Sequence, residues 1–447
     1  LTDSTEAGPS NWTPKLIDQF KRLRGYDPIP WLPALTGEIV GSRAQSDAFL
    51  YDFRHTLAQL HATEHYGTVA KVAQERGLSV YGESLEGNRL VSTLGDDLEM
   101  RRFADIPMAA MWSFGKGGEP SPQFVADMRG ASSVAHIYGK PFAAAESLTS
   151  ILAPWAHAPA DLQPMMDAAF VNGINRPVIH TSAHQPVDDK QPGMSLHVFG
   201  QNFTRHETWA EMAKPWVDYL SRNSYLLQQG KNVADVAYFY GEEPPIGLQA
   251  QKGYPTDVPK HYAYDFIPPH GLLNALKVEG GDLISQGGAR YKVLYLGGSS
   301  SDFISLPILQ RMAQLVEEGA TLVGSAPTAS PSLGDVKDAF TALVAKLWAG
   351  EGNTVVGRGR VIASNDVTAA LADIGVAADV NLAADAPVQF VHRKLVDGDL
   401  YYLSNTGAAR QLEVSFRVNG KTPEIWRADS GTIADASYRS ENGRTVV

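Results

Sequence analysis

The sequence contains no cysteine among its 447 residues. Disulfides, thiolate nucleophiles and cysteine-ligated zinc sites are therefore excluded, although secreted proteins can lack cysteine too, so the compartment stays open. No run of about 18 apolar residues is present, so no segment is predicted to span a membrane. No signal peptide starts at Leu1. Because the opening residues look like the end of a strand, we interpret the chain as a fragment, and the missing signal carries little weight.

Positive charge is also scarce. The formal net charge is -11 and there is no basic run, so a nucleic-acid backbone is not expected as a partner. Hydrophobic residues make up 44% and charged residues 19% of the chain, which is typical of a globular protein. At roughly 150 residues per domain, the length predicts two to four domains.

Strand and helix patterns alternate from residue 1 to about residue 229, which indicates parallel β/α units. We predict that residues 1–230 form the C-terminal part of a (β/α)8 TIM-like barrel, with about five strands visible and roughly three upstream of Leu1. The predicted helices are 13–25, 42–76, 122–138, 161–172 and 206–229, the last kinked at Pro215. The predicted strands cover 78–83, 106–112, an alanine-rich run ending at Glu146, and 176–184.

The remaining chain changes pattern twice. Residues 231–380 read as a doubly wound α/β domain that resembles glutamine-amidotransferase-like domains; without cysteine the amidotransferase nucleophile cannot exist, so we interpret this unit as structural. It includes a helix predicted over 271–277. Residues 381–447 read as a β-rich segment, part of a β-sandwich. There, Asp397-Gly398 and Asn419-Gly420 each lie between apolar runs and predict hairpins.

Two carboxylates stand out for their positions. Glycoside hydrolysis needs two carboxyl groups on opposite sides of one bond. Glu6 follows what we count as the fourth strand of the barrel, and Glu146 follows the seventh, so both would lie at the mouth where catalytic groups gather. If they work as an inverting pair, their carboxyls should lie about 6.5 to 9.5 Å apart. Taken singly, Glu6 is better explained as an acid at a helix start, where the helix macrodipole favours it.

Other polar residues follow the same strand ends. Asp3 could bind a sugar hydroxyl, orient water or hold a cation, and Asp52 could enter the same mouth or form a salt pair on a helix surface. Glu83 and Trp112 each end a strand. Asp96, Asp97 and Glu99 read as a solvated acidic turn, with calcium binding as a weaker alternative.

Two histidines end the strand that begins at Arg176. The four-residue spacing of His180 and His184 puts them on one side of a strand. They could hydrogen-bond sugar hydroxyls, pack as ordinary histidines, or bind zinc together with a carboxylate such as Glu146. The H-E-x-x-H signature of zinc proteases is absent.

Several motifs together give the sequence a family resemblance. They are Asp3-Ser-Thr-Glu-Ala-Gly-Pro-Ser-Asn-Trp12, Arg24-Gly-Tyr-Asp-Pro28, Leu32-Pro-Ala-Leu35, Tyr51-Asp-Phe-Arg54, Tyr81-Gly-Glu83, His136-Ile-Tyr-Gly-Lys140, Ala145-Glu146, Gly173-Ile-Asn175, Ala183-His-Gln-Pro186 and Leu226-Leu-Gln-Gln-Gly230. As a set they resemble glycoside hydrolase family 106, the bacterial α-L-rhamnosidases. The resemblance is dense to about residue 240 and fainter through residue 350.

The resemblance implies inverting hydrolysis of terminal α-L-rhamnose from a rhamnosylated glycan or glycoside. It puts Glu6 on the family's acid and Glu146 on its base, and Asp3 and Asp52 on other acidic positions of its site. It also implies a calcium ion near the sugar, whose ligands we do not place from the sequence, and a periplasmic or secreted location. Family members are much longer than this chain.

Two other functions remain open from the sequence. The chain could be a non-catalytic sugar-binding or scaffolding protein with a degenerate site. It could also be a metal-dependent hydrolase built on His180 and His184.

Overall fold

A computed structural model describes residues 2–5, 11–84, 95–115, 118–191, 193–242, 255–297, 302–350, 352–383 and 385–447. In this part of the chain, no helix is both long enough and apolar enough to cross a bilayer.

The first unit is built from parallel strands and helices. Four strands form a parallel sheet in the order β1-β2-β3-β4, which confirms the predicted β/α alternation. The strands are β1 (Tyr81–Gly82), β2 (Ile106–Trp112), β3 (Ala144–Thr149) and β4 (Arg176–Ile179). The helices are α1 (Leu16–Arg24), α2 (Arg43–Leu60), α3 (Gly67–Gln74), α4 (Asp97–Arg101), α5 (Pro122–Tyr138), α6 (Pro159–Val171) and α7 (Lys214–Leu227).

Shorter helical turns complete this unit. A wide π turn over His61–Tyr66 joins α2 to α3, so the long helix predicted over 42–76 is nearly continuous. Turns of 3-10 helix cover Ile29–Thr36 and Ala210–Met212. The predicted kink at Pro215 is wrong, because this proline lies in the first turn of α7. The missing N–H of proline costs nothing at that position, so proline starts the helix instead of bending it.

The N-terminal residues continue the sheet beyond β1. Thr2 forms a parallel bridge with Gly82, and the Thr2 N–H donates to the Tyr81 carbonyl at 3.0 Å. The Glu83 N–H in turn donates to the Thr2 carbonyl at 3.1 Å. The opening residues therefore behave as a strand, as their sequence predicted.

The second unit contains a six-stranded sheet in the order β13-β14-β12-β11-β6-β7. Five of these strands are parallel and β13 is antiparallel, as in doubly wound folds. The elements are β5 (Lys231–Asn232), β6 (Val236–Phe239), β7 (Tyr264–Ile267), β8 (Leu276–Glu279), β9 (Asp282–Ser285), β10 (Arg290–Tyr291), β11 (Val293–Leu296), α8 (Leu306–Glu318), β12 (Thr321–Val323), α9 (Lys337–Leu347), β13 (Asn353–Val356), β14 (Gly359–Ile362) and α10 (Val367–Asp373).

The helix predicted over 271–277 is confirmed over Gly271–Ala275, which form a short π turn, and is wrong for its last two residues. These two residues begin β8, which forms an antiparallel hairpin with β9. Gly280 and Gly281 form its turn with φ of +62° and +90°. Two consecutive positive φ values are what a type I′ turn requires, so the Gly-Gly pair was a hairpin signal that outweighed the apolar pattern before it.

The third unit is made of small antiparallel sheets. Its strands are β15 (Val380–Asn381), β16 (Val388–Lys394), β17 (Asp399–Asn405), β18 (Ser415–Phe416), β19 (Glu424–Trp426), β20 (Ile433–Asp435), β21 (Arg439–Glu441) and β22 (Arg444–Val446). The hairpin at Asp397-Gly398 is confirmed by the pairing of β16 with β17. The hairpin at Asn419-Gly420 is wrong: β18 pairs with β15 and β22, and β19 pairs with β20. The strands on either side of Asn419-Gly420 therefore pair with other strands and not with each other.

Helix α5 forms a layer between the two parallel sheets. Met128, Ala131 and Ala135 pack in one core with Ala109 and Ala145 of β2 and β3. On the other side, the Phe266 N–H of β7 donates to Ser133 Oγ at 2.9 Å. Small side chains on α5 allow a sheet on each side to approach closely, since packed layers leave few voids.

A backbone contact fixes the end of α5 against the second unit. The Gly287 N–H donates to the Ile137 carbonyl at 2.7 Å. A Cβ at Gly287 would lie 2.2 Å from the His136 carbonyl oxygen and 2.4 Å from the Gly139 nitrogen. No side chain fits at this position, because both neighbouring atoms belong to backbone.

We expect Gly287→Ala to lower the free energy of unfolding by about 1–3 kcal/mol, because the added methyl must push two backbone segments apart. Chemical denaturation of the full-length protein followed by circular dichroism measures the effect. Gly398→Ala is the matched control, since a Cβ there meets nothing within 4 Å. Equal unfolding midpoints for the two variants would show that the Gly287 contact carries no constraint.

Candidate active site

Three carboxylates converge at the C-terminal ends of the parallel strands. One oxygen from each of Asp3, Glu83 and Glu146 lies within 4.8 Å of the others. In the part of the chain that the structure describes, this is the one group of three or more such side chains with spacing suitable for a metal ion. The prediction that Asp3 and Glu83 share a site with Glu146 therefore agrees with the geometry.

Strand register explains the convergence. Thr2 lies beside Gly82, so the residues that follow them, Asp3 and Glu83, are neighbours at the strand ends. Glu146 pairs with Ala110 of β2, the strand between β1 and β3. A methyl group at Ala110 leaves room for acids from both sides to approach each other over β2.

Glu146 is held in place by its own strand and the next one. The Thr149 hydroxyl donates a short hydrogen bond to Glu146 Oε1 and lies 3.1 Å from His180 Nδ1. A hydroxyl has a single proton, so Thr149 accepts from His180 while it donates to Glu146, which assigns the proton of the histidine to Nδ1. The Glu146 side chain is 20% exposed and can reach a ligand.

Glu83 is the most perturbed member of the group. It is 9% exposed. Burial, together with the charges of Glu146, Asp127 and Asp3, raises its pKa to about 9, against the opposing charge of Arg101. Like charges at this spacing cannot all remain ionised without compensation, so the group requires a proton or a cation.

A buried ion-pair network lies next to the three site carboxylates and contacts the sheet that carries them. Arg101, which is 1% exposed, contacts Asp97 at 3.0 Å and also pairs with Asp127 of α5. Asp127 Oδ2 accepts the Ala110 N–H of β2 at 2.7 Å. Ser84, directly after Glu83, accepts from Arg101 Nε at 2.9 Å and bonds to Asp97. The network therefore links β1, β2, α4 and α5 beneath the carboxylates.

The solvated acidic turn predicted from Asp96, Asp97 and Glu99 is wrong. Asp96 is 4% and Asp97 1% exposed, and Glu99 accepts the His270 N–H of the second unit at 2.6 Å. Asp96 caps α4 by accepting the Glu99 N–H. Arg101 lies only four residues from Asp97, but the burial of both and the contact of Glu99 with His270 depend on long-range packing, so the acidic run alone resembled a surface turn.

The other predicted site residues that the structure describes lie at several different places. Trp112 ends β2 with its ring 5.7 Å from Phe124 and 5.8 Å from Phe199. His180 joins the site through Thr149, whereas His184 is exposed in the following loop. Glu6 lies outside the described residues, so its distance from Glu146 stays a prediction.

Asp52 is not part of the carboxylate group. It is fully buried, and its Oδ2 accepts from the Tyr26 hydroxyl at 2.8 Å and the Leu333 N–H at 3.0 Å. The predicted entry of Asp52 into the mouth therefore disagrees with this arrangement. The carboxylate instead joins α2 to the second unit, a role that the local helix pattern could not reveal.

The carboxylate group fits a calcium ion. Calcium prefers oxygen ligands, and carboxylates are its commonest protein donors. Three such groups within 4.8 Å, with the pKa of Glu83 raised by its neighbours, provide the expected donor chemistry. A histidine-based zinc site finds no such support in the described ranges, where no group combines His180 and His184 with a third ligand.

Comparison with known proteins identifies the family. The profile of the Glyco_hydro_106 family, described as alpha-L-rhamnosidase, matches residues 1–440. The chain belongs to glycoside hydrolase family 106. The resemblance seen in the sequence motifs is thereby confirmed.

A solved structure and a curated relative each match nearly the whole of this chain. The structure of a rhamnosidase from Novosphingobium sp. PP1Y is similar with a TM-score of 0.94 and 53% identity, covering 99% of this chain and 43% of that one. A relative from Formosa agariphila that bears the name of a beta-glucuronidase is 35% identical over 438 residues, covering 97% of this chain and 35% of its own length. The chain thus spans less than half the length of these family relatives.

A more distant likeness concerns the fold alone. A GH42 beta-galactosidase from G. stearothermophilus has 10% identity and a TM-score of 0.57, covering 96% of this chain and 75% of that one. The family 106 chain therefore shares an α/β fold with GH42 enzymes.

Sequence reasoning missed three residues that shape the family 106 site. Thr149 positions Glu146, and Arg101 and Asp127 form the network beneath it. Thr149 follows Glu146 by three residues, a spacing that puts side chains on opposite faces of a regular strand. The contact depends on the irregularity at Leu148, whose φ is +71°. Nothing local marks Arg101 or Asp127, because each looks like an ordinary charge on a helix.

We expect Arg101→Met to lower the free energy of unfolding by about 3–5 kcal/mol, because it leaves Asp97 and Asp127 buried without their cation. Urea denaturation of the full-length protein measures the effect. Arg43→Met is the control, since Arg43 is exposed and its pair with Asp47 spans 3.9 Å. An Arg101 variant as stable as the control would mean that the network contributes nothing.

Proposed function

We propose that this chain carries the catalytic site of an α-L-rhamnosidase that removes terminal α-L-rhamnose with inversion. The observation that supports it is the group of Asp3, Glu83 and Glu146 at the ends of parallel strands, in a chain of family 106. We propose further that the parallel sheet of the first unit is the C-terminal part of a (β/α)8 barrel, because catalytic groups of such barrels gather at this edge.

Glu146 is proposed as the general base. It is partly exposed, and the Thr149 hydroxyl, which also bonds His180, fixes its orientation. In an inverting reaction the base removes a proton from water as that water attacks the anomeric carbon, while an acid protonates the departing oxygen. The bond to the aglycone breaks as the bond to water forms, so the released rhamnose has the opposite anomeric configuration.

Glu6 is proposed as the general acid on the family resemblance. Glu83 does not suit that role, although its raised pKa keeps it protonated near neutral pH. Its oxygen lies within 4.8 Å of that of Glu146, whereas an inverting pair needs about 6.5 to 9.5 Å to admit water. A separate acid across the pocket is therefore required.

Calcium is proposed as the cation of the acidic group, held by Asp3 and Glu83 beside Glu146. When bound it would supply positive charge and open coordination positions for sugar hydroxyls. Glu83 and Asp3 would then serve to bind the ion and to orient the sugar beside Glu146.

A β-glucuronide is the second candidate substrate, because the Formosa agariphila relative bears that name. The acidic group at the site disfavours it, since a uronic acid would add a further negative charge. Rhamnose is a neutral deoxy-sugar and meets no such repulsion. Its methyl group suits an apolar contact, and Trp112 lies at the same sheet edge.

We expect Glu146→Gln in the full-length protein to reduce kcat for 4-nitrophenyl α-L-rhamnoside by at least about 10²-fold, because the amide cannot accept the proton of water. Release of 4-nitrophenol measures the rate, and NMR of the first sugar formed reports its anomeric configuration. Glu64→Gln, on the exposed face of the π turn, should retain full activity.

Unchanged turnover by the Glu146 variant would favour a non-catalytic or degenerate site. Hydrolysis of 4-nitrophenyl β-D-glucuronide in preference to the rhamnoside would favour the second candidate. Retention of configuration would contradict the inverting mechanism.

We expect calcium to raise Tm after dialysis against a chelator, by binding the folded state only. The added stability should be about 2.7 kcal/mol at a concentration 100-fold above Kd. Asp3→Asn should weaken this response, whereas Asp429→Asn, at an exposed turn, should keep it. Identical calcium responses in both variants would exclude Asp3 as a ligand.

A further inference from the structure

A polar cavity lies where the three units meet. Its volume is about 180 Å³, and it is lined by the end of α5, the start of β3, the chain around β5, the loop before β10, and β16. This places it at the N-terminal ends of β3 and β4, opposite the edge that carries Glu146. Liquid water takes about 30 Å³ per molecule, so the cavity has room for several waters or a small ion with fewer waters.

Positive charge dominates the lining. Lys140, Lys231 and Arg393 line the cavity together with His136, and no carboxylate does so in the part of the chain that the structure describes. The nearby Asp265 is already engaged by His136 Nδ1 at 2.7 Å and by the Tyr291 hydroxyl at 2.9 Å. The cavity therefore has an excess of cations over anions.

Arg393 is the buried member of this set. It is 8% exposed, and its Nε and Nη2 donate to the carbonyls of Gln229 and Gly230 at 2.8 and 3.1 Å. Burial lowers its pKa to about 10, with only the charge of Asp265 opposing. A buried guanidinium usually contacts an anion, and no side-chain carboxylate among the described residues forms an ion pair with this one.

The two lysines have similar partners. Lys231 Nζ donates to the Gly287 carbonyl at 3.2 Å, and Lys140 Nζ donates to the Ala104 carbonyl. Neither forms an ion pair with a described carboxylate. Lys140 Nζ lies at the Ala104 carbonyl, beside a separate cavity lined by Arg102 and Phe103. An ammonium has three donors, so Lys231, bonded to a residue that lines the cavity, keeps capacity for a further acceptor there.

We propose that this cavity binds a small tetrahedral oxyanion of the sulfate or phosphate class. Arg393 would contribute a fork of N–H donors from β16, and Lys231 would add a point charge from β5. The bound anion would connect residues from the second and third units in a cavity that the first unit also lines. Binding would therefore stabilise their arrangement in the folded protein, because the unfolded chain lacks the site.

Thermal unfolding of the full-length protein in sulfate tests this proposal. We expect a saturable rise in Tm with sodium sulfate that sodium chloride of equal ionic strength does not produce. Lys231→Gln should raise the apparent Kd for sulfate about fivefold by removing one exposed charge. Arg393→Gln should abolish the saturable response, and Arg393→Lys should restore part of it.

Lys421→Gln is the control, because this exposed lysine bonds only to the Asp397 carbonyl in the third unit. Sulfate also stabilises proteins in general by exclusion from their surface, which produces a rise without saturation. A non-saturating rise that is equal in wild type, Lys231→Gln and Lys421→Gln would overturn the proposal.

A monosaccharide 6-sulfate as a second probe separates two sources of the anion. Competition with inorganic sulfate would indicate that the cavity accepts a sulfated sugar. Binding of inorganic sulfate alone would indicate a free ion as the ligand. Both results support an oxyanion site, and they are measured at residues that take no part in the proposed hydrolysis.

Discussion

The buried pairing of Arg101 with Asp97 and Asp127 is the interaction on which the site depends. A guanidinium between two carboxylates in a dry interior is stable only when all three groups keep their partners. Through Asp127 this network fixes Ala110 of β2. It also holds Ser84, the residue directly after Glu83. The positions of the site carboxylates therefore depend on the ion pairs of Arg101 with Asp97 and Asp127.

The carboxylates above this network are not balanced in the same way. Asp3, Glu83 and Glu146 face one another, and the only cation that lowers the pKa of Glu83 is Arg101, whose charge is shared with Asp97 and Asp127. Crowded acids of this kind occur where a protein binds a cation or holds a proton for chemistry. The carboxylates paired with Arg101 therefore have a structural role. The three carboxylates that lack such a pairing are the candidates for function.

The second and third units contribute to the site through α5. This helix packs on the strands that carry Glu146 and also on β7, so its position depends on both sheets. The contact between Gly139 and Gly287 and the polar cavity beside it lie at the end of the same helix. Any ligand of that cavity would act on the junction of the units and not on the sugar directly.

Much of the local structure could be predicted from the sequence. The strand that carries Glu146, the helix over 122–138 and the hairpin at Asp397-Gly398 are encoded by short-range patterns of apolar, proline and glycine residues, although the strand continues to Thr149. The family could also be recognised, because its motifs lie in linear order. The hairpin at Gly280-Gly281 was not predicted, although the Gly-Gly pair is a local indication of a two-residue turn.

Tertiary structure alone decided which charges belong together. Asp3 meets Glu83 because the first strand pairs with β1, whereas Asp52, equally prominent in the sequence, is buried against Leu333. The sequence predicted a solvated Asp97, whereas Asp97 and its cation Arg101, four residues away, are buried together in the interior. The physical reason is that a carboxylate's role depends on its desolvation and on partners that long-range pairing brings to it, and neither is written in its immediate neighbours.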